Sequence, residues 1–259
     1  MRRSALMLCA CALPSCTALS EFPDLPDAPA RPSPASRAGI APPKPDAAPL
    51  LTPGPSPLPP QAKLPLAHHY TSRGGVTLAL VSFDDRDHQL RVADQPNGPG
   101  SRWQNAQAAA ATYHGLAAIN GGFFTPAGKP LGLLIETGTQ RGSVNRSSLG
   151  AAMFVSSSTG SAIIRRQHYP SSSAAAHASN LLQTGPMLAE KGRPVPGLSN
   201  TNSRPRSFIA WDGNHHWAIG YAEPCTLDAL SRALAGTSPA GFKIRTAVNL
   251  DGGRSSDLW

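Results

Sequence analysis

Cysteine is scarce in this chain of 259 residues, and poorly placed for bonding. Of four, Cys9, Cys11 and Cys16 crowd the first sixteen positions, and Cys225 stands alone. One thiol closes no internal disulfide, and no C-x-x-C pair offers a zinc or redox site. Cys225 sits in EPCTLDAL before a helix start, a position that stabilises thiolates; a small, partly buried residue is the simpler reading. No apolar run reaches the ~20 residues that a membrane-spanning helix needs. No Lys/Arg-rich run carries the interleaved aromatics of a nucleic-acid module, so nucleic acid is not an expected partner. There is no internal repeat and no G-x-S-x-G nucleophile elbow. Carboxylates are few as well. From residue 67 onward there are 11 Asp and Glu against 17 Lys and Arg. In an exported protein that excess suits anionic glycans, phosphodiesters or the envelope surface.

Export is written into the start. Met1-Arg2-Arg3 precedes an apolar stretch from Ala5 to Leu13 and then Pro14-Ser15-Cys16, the positive, apolar and small-residue regions of a secretory leader. Leu13-Pro14-Ser15-Cys16 also has the form of a lipoprotein box, in which Cys16 would be acylated and hold the protein at a membrane. Ordinary cleavage is the alternative. The expected location is the periplasm, or the outer membrane of a bacterium as a lipoprotein. Residues 17–66 are dominated by Pro and Ala with no hydrophobic period. Such a segment buries too little apolar surface to offset its ordering entropy and reads as an extended spacer. The folded unit is expected at 67–259, enough for one core.

Within that unit, strand patterns outnumber helical ones. VTLALVSFDDRDHQLRVAD alternates around Asp84-Asp85-Arg86-Asp87 and reads as a hairpin with an acidic turn; the glycine and distal glutamate of a calcium loop are missing. SRWQNAQAAAATYHG reads as a helix with Ser101 as N-cap and Gly115 beyond its end. LAAIN, LGLLIE, AAMFVSS, SAIIRR and PMLAE read as strands. RSFIAWDGNHHWAIGYA is a hairpin turning at Asp212-Gly213-Asn214. Its adjacent His215 and His216 point to opposite faces and so suit no shared metal. TLDALSRALAG is a second helix, capped by Thr226, with Leu227, Leu230 and Leu234 on one face. TAVNL closes the chain. Strands and helices do not alternate regularly, so the class is α+β, one domain with a mixed or antiparallel sheet and a few helices.

Two apolar strands end in paired glycines. AAINGGFF carries Asn120-Gly121-Gly122, and TAVNLDGGRSS carries Asp251-Gly252-Gly253 followed by Arg254, Ser255 and Ser256. Paired glycines permit close backbone approach, so that successive N–H groups can face an anion or a sugar hydroxyl. The run from Gly122 to Gly128-Lys129 is one residue too long for a P-loop, and Pro130 stands where Ser or Thr belongs. Gln183-Thr184-Gly185 and Arg206 add an amide, a hydroxyl, a turn and a cation. The two Gly-Gly loops are expected to meet in space and form one composite site.

In this order, AINGGFF, GKPLGLLI, QTGPML, RSFIAWD, TLDALSRALA and AVNLDGGRSS resemble the phosphodiester glycosidase domain family, whose members include the enzyme that uncovers mannose 6-phosphate on lysosomal glycans. The likeness runs from about residue 76 to the C-terminus. It implies hydrolysis of a sugar-1-phosphodiester at the anomeric carbon. Motif by motif it places Asn120, Gly121, Gly122, Gln183, Thr184, Gly185, Arg206, Asp251, Gly252, Gly253, Ser255 and Ser256 around the site. The family's aspartate motif has a third glycine where this chain has Arg254.

Glycosyl transfer to water ordinarily uses two carboxyl groups. Asp251 alone sits at a glycine-flanked strand end and is the first catalytic candidate, with Asn120 and Arg206 beside it. Glu136 and Glu223 are both candidates for the second carboxyl. A phosphate leaving group needs little general acid, and Arg206 would stabilise its charge. Arg254 either approaches Asp251 and favours its ionised form or turns outward to grip an anionic part of the substrate. No cofactor is expected, and the sequence leaves the metal unknown: a metal-dependent hydrolase would pair Asp251 with Asp257. The rival to an enzyme is a catalytically inactive module that binds glycan or peptidoglycan in the envelope.

Overall fold

The computed structural model describes the backbone of Ser4–Cys9 and residues 66–259 other than Thr159. Cys16, the expected spacer apart from Leu66, and the rest of the leader lie outside the described residues. Fifteen strands run in chain order. The first eight are β1 (Ser4–Cys9), β2 (Ala67–Arg73), β3 (Val76–Asp84), β4 (His88–Ala93), β5 (Ala118–Asn120), β6 (Leu134–Glu136), β7 (Thr139–Arg141) and β8 (Ala152–Ser157). The others are β9 (Gly160–Arg165), β10 (Asn180–Thr184), β11 (Met187–Glu190), β12 (Arg193–Pro194), β13 (Arg204–Trp211), β14 (His216–Cys225) and β15 (Thr246–Asn249). Helices α1 (Ala106–Tyr113), the one-turn α2 (Ser173–Ala176) and α3 (Leu227–Leu234) complete the described elements, with three short 3₁₀ turns.

An antiparallel seven-stranded sheet, ordered β12-β11-β15-β13-β14-β3-β2, faces an antiparallel five-stranded sheet, β7-β6-β10-β8-β9. A parallel trio, β4-β1-β5, joins them. The α+β class is present, and of the mixed or antiparallel sheet expected from the sequence the antiparallel form is found in both large sheets. The inner strands of the seven-stranded sheet are buried on both faces, and successive residues of β13 show why. Ile209 packs with Phe154, Leu182, Trp217 and Val248 in the core between the sheets. Phe208 and Ala210 pack on the opposite face with Leu230, Leu234 and Ile244 beneath α3. A strand covered on both faces reads as a continuous apolar run rather than an alternating one. Phe208 lies opposite Gly220 in the β13–β14 register, and a Cβ on Gly220 would run into its ring.

The β3–β4 hairpin expected from the alternation around the acidic turn does not form. β3 pairs with β14 and β2, whereas β4 pairs with β1. The turn is real, but its carboxylates send the chain elsewhere. Asp84 binds Arg86 through its Nε at 2.9 Å and Nη2 at 2.6 Å, which lowers the Asp84 carboxyl to about 2. Asp85 accepts from Trp217 Nε1 at 3.2 Å and pairs with His215 Nδ1 at 2.8 Å, fixing the end of β3 to β14. Seven consecutive pairs with the long β14 offer β3 more backbone bonding than the short β4 would. Alternation reports a strand's faces and not its partner. His216 binds Asp212 rather than Asp85, so the two adjacent histidines do take different carboxylates.

The helix expected from Ser101 starts later. Asn105 is its N-cap and accepts from Ala108 N at 2.8 Å, while Gln95 holds the preceding turn by accepting from Arg102 N and Trp103 N. His114, with φ 53°, takes the left-handed position that the sequence reading left to Gly115. Thr226 does cap α3, accepting from Ala229 N at 3.1 Å, and Leu230 and Leu234 are fully buried. Cys225 is buried just before it, and that burial raises its thiol pKa.

Candidate active site

β15 lies between β11 and β13, and its carboxyl end runs out as Asn249-Leu250-Asp251. Asn249 N donates to Pro186 O at 3.0 Å, Leu250 N to Ser207 O at 2.8 Å and Asp251 N to Gly121 O at 3.0 Å. The last of these bonds joins the two Gly-Gly loops, so the two loops meet as the sequence led one to expect. Asn120 reinforces it. Its fully buried amide donates to Asp251 O at 2.8 Å and accepts from Asp257 N at 3.1 Å, clasping both ends of the 251–257 loop.

The glycines at these loops permit contacts that a side chain would block. A Cβ on Gly122 would lie 3.1 Å from Gln183 O, and one on Gly252 3.2 Å from Pro205 O and 3.7 Å from an Arg206 guanidinium nitrogen. Gly253 adopts φ +69°, which L side chains resist. Gly185, ahead of the cis Gly185-Pro186 bond, packs against Ser148 and Ala151. Thr184 Oγ1 donates to Asn249 O at 2.8 Å, and Asn249 Nδ2 returns to Gly185 O at 3.3 Å. These bonds stitch β10 to the carboxyl end of β15. Asn249 was not singled out from the sequence. Its polarity inside an otherwise apolar strand was the available signal.

Gln183 comes to the same region but is consumed by the scaffold. Its Oε1 accepts from Leu133 N at 2.9 Å and Asn145 N at 2.8 Å; its Nε2 donates to Asn145 O at 2.7 Å and Gly150 O at 2.8 Å. Both lone pairs and both N–H donors of its amide are spent on backbone.

Arg206 is 6% exposed, and its guanidinium reaches only backbone carbonyls: Cys225 O from Nε at 3.3 Å and Asn202 O from Nη2 at 2.8 Å. Among the described residues no carboxylate forms an ion pair with it. Burial, followed by repulsion from Arg204, lowers its pKa. The β13–β14 register shifts between Arg204 and Arg206, a bulge of the kind that re-aims side chains next to functional sites. Arg204 packs along Gly253. It was missed in the sequence because the bulge, not the strand period, brings it here.

Burial raises the Asp251 carboxyl above the usual carboxylate range, while a Ser255 hydrogen bond, the Gly252 amide at 2.9 Å and the Arg204 charge pull it back. Arg204, not Arg254, is thus the cation that acts on Asp251. Arg254 is exposed and has no ion pair among the described residues, so the outward of its two expected orientations is the one found. Ser255 is buried against Asp251. Ser256 Oγ, Ser207 Oγ and Asn249 Oδ1 are buried without a hydrogen-bond partner among the described residues. A buried polar atom without a protein partner is one that a ligand or water would satisfy.

Of the two candidates for a second carboxyl, Glu136 accepts from Tyr113 OH at 2.8 Å and lies 3.6 Å from Arg102; burial first, and then the Glu136 hydrogen bond, push Tyr113 up to about 12. Glu136 is therefore committed elsewhere. Glu223 is exposed on β14, two residues from Cys225. Asp257, the partner of Asp251 in the metal-dependent alternative, is held at the start of a helix. Its Oδ2 accepts from Ala106 N at 2.5 Å, at the first turn of α1. The described group of three ligating side chains within 4.8 Å of one another, Asp84, Asp85 and His215, belongs to the far end of β3.

Comparison with known proteins agrees with this geometry. The catalytic domain of zebrafish N-acetylglucosamine-1-phosphodiester alpha-N-acetylglucosaminidase, auto-inhibited by its pro-peptide, has the same fold, with TM-score 0.51 and 18% identity over 75% of this chain and 72% of that one. A hypothetical protein from Synechocystis matches with TM-score 0.50 and 14% identity, over 75% of this chain and 57% of that one. At such identities the likeness concerns the fold alone. No curated protein sequence matches the chain. The sequence model of the phosphodiester glycosidase family matches residues 113–259, more than half of the chain and every motif of the site from Asn120 to Ser256, and the chain belongs to that family.

Proposed function

We propose that this protein is an exported hydrolase that cleaves the bond between a sugar's anomeric carbon and a phosphodiester oxygen in an envelope or extracellular glycan. The observation that carries the proposal is Arg206. A guanidinium held at 6% exposure with no carboxylate partner bears a desolvation cost of several kcal/mol. An anionic ligand would offset that cost, and a phosphate offers the oxygens that its unused donors require. Asp251 across Gly252 supplies the other half of the chemistry. In its ionised form it takes a proton from water as the water oxygen bonds to the anomeric carbon. The carbon–oxygen bond to phosphate breaks, and its electron pair leaves on the phosphate oxygen beside Arg206. The products are the free sugar and a phosphate monoester. Since that leaving group is a weak base, one carboxyl in the site suffices. Asn120, Thr184, Asn249 and Gln183 hold the loops in register. Ser256 Oγ, which has no hydrogen-bond partner among the described residues, is a group left to contact sugar.

The full chain should release free sugar from a sugar-1-phosphodiester, and Arg206→Lys should lower turnover by about 10²-fold, the scale of losing one charge-stabilising donor. The assay is run with and without a chelator; loss of activity on chelation would replace Asp251 as base with a metal-bound water. Tight glycan binding with no hydrolysis would favour the inactive module instead. Export through the 1–16 leader, with acylation at Cys16, is part of the same proposal. Mass analysis of the protein from envelope fractions of a bacterial host should find a lipid-bearing Cys16 as the first residue; an unprocessed Met1 in the cytoplasm would refute it.

A further inference from the structure

The end of the seven-stranded sheet opposite Asp251 carries a concentration of positive charge that hydrolysis does not use. A depression of about 790 Å³ runs past Arg165, Glu190, Lys191 and Arg193 and meets, at Lys191, a second of about 470 Å³ lined by Asp212, Lys243 and Arg245. Both carboxylates in this groove are already engaged. Glu190 accepts two bonds from Arg165, at 2.5 and 2.6 Å. Asp212 accepts from Asn214 N, His216 N and the His216 ring. Lys191, Arg193, Lys243 and Arg245 are all exposed, and among the described residues none forms an ion pair. The groove's net field is therefore positive.

These four cations sit on backbone that the sheet holds firmly. Lys191 and Gly192, with φ 50° and 75°, form the tight turn between β11 and β12. Gly192 N donates to Arg245 O at 2.8 Å, which brings the turn against the segment leading into β15. Ile244 N donates to Thr237 O at 2.8 Å and its carbonyl accepts from Gly236 N at 3.1 Å. With Ile244 buried and its neighbours exposed, Lys243 and Arg245 project to the same side, about 6.6 Å apart along the chain at the usual strand rise. From Arg245 to Asp251 the extended chain covers about 15–20 Å, so this groove is distinct from the candidate active site.

We propose that this groove is a second binding site, which holds a polyanionic glycan by its phosphate or sulfate groups. Several cations without ion pairs along one open groove suit a polyanion, and the release of condensed counterions supplies much of the affinity. A glycan is favoured over nucleic acid because the groove lacks a free stacking platform for bases: Phe242, its aromatic, is already stacked on His216 at 5.8 Å. The proposal stands independently of hydrolysis.

The test measures binding of the full chain to a fluorescent heparin oligosaccharide across a range of salt concentrations. Lys191→Glu with Lys243→Glu should weaken binding at least tenfold and flatten its salt dependence. Arg73→Glu with Arg91→Glu, both exposed positions on β2 and β4, makes the same change in net charge and should cost less than about threefold on the same scale. Equal losses in the two variants would mean that net charge alone binds the glycan and would overturn the site. So would tighter binding of a single-stranded DNA of equal charge. Melting temperatures of both variants confirm folding, and turnover of a soluble sugar-1-phosphodiester should be unchanged in each.

Discussion

Asp251→Asn should lower turnover of a sugar-1-phosphodiester by about 10²–10⁴-fold, the range for removing a positioned general base, without unfolding the protein. The side chains are isosteric, and the loop's main bonds, from Asp251 N to Gly121 O and from Asn120 Nδ2 to Asp251 O, involve backbone atoms that the substitution keeps. The pH dependence adds a second readout. Burial raises the Asp251 carboxyl, so the native state holds a proton at pH values where the unfolded chain, with an Asp near about 3.9, has lost it. The native state is thus penalised as pH climbs from the unfolded value through the raised one, and the penalty persists above it. The asparagine variant escapes that penalty. Its melting temperature at neutral pH should equal or exceed that of the wild type, with the gap closing below about pH 4. Wild-type turnover should rise with pH through the raised value, as the base form appears. If the variant keeps most of its activity, Asp251 is not the base. If it melts well below the wild type at neutral pH, the carboxylate has a structural role that this geometry does not give it.

Gln183→Leu should have the opposite profile, with a large loss of stability. Its amide is the partner of Leu133 N, Asn145 N, Asn145 O and Gly150 O in a region where Gln183 itself is 3% exposed. Leucine has similar bulk but no polar atoms, and an orphaned buried polar group costs about 1–3 kcal/mol. Arg166 Nη1 still serves Asn145 O and Gly150 O, so the two orphaned N–H groups set an expected total of about 2–6 kcal/mol, visible as a lower denaturation midpoint in urea. Gln183→Glu separates structure from chemistry, because it keeps the two acceptor roles and loses the two donors. It should be destabilised while any folded fraction retains the wild-type KM. A changed KM in a stably folded Gln183→Glu chain would put this side chain in contact with substrate instead.

The sequence by itself determined which residues end strands with polar chemistry. Asn120-Gly121-Gly122 and Asp251-Gly252-Gly253 are recognisable because polar residues and paired glycines directly follow buried apolar runs, and few other functions require that succession. The α3 cap at Thr226 and the β13–β14 hairpin were legible for a similar reason: their interactions are local in the chain. Partnership between distant segments was not legible. The alternation of β3 and β4 fixed their faces, yet Asp85 reaching Trp217 and His215, 132 and 130 residues away, decided that β3 pairs with β14. The roles of site residues divided in the same way. Sequence alone could not tell that Gln183 is spent on loop backbone or that Glu136 is tied to Tyr113. Nor could it show that Arg204 rather than Arg254 acts on Asp251. A side chain's type sets what it can bind, but its burial and neighbours set what it does bind, and those are properties of the packed sheets.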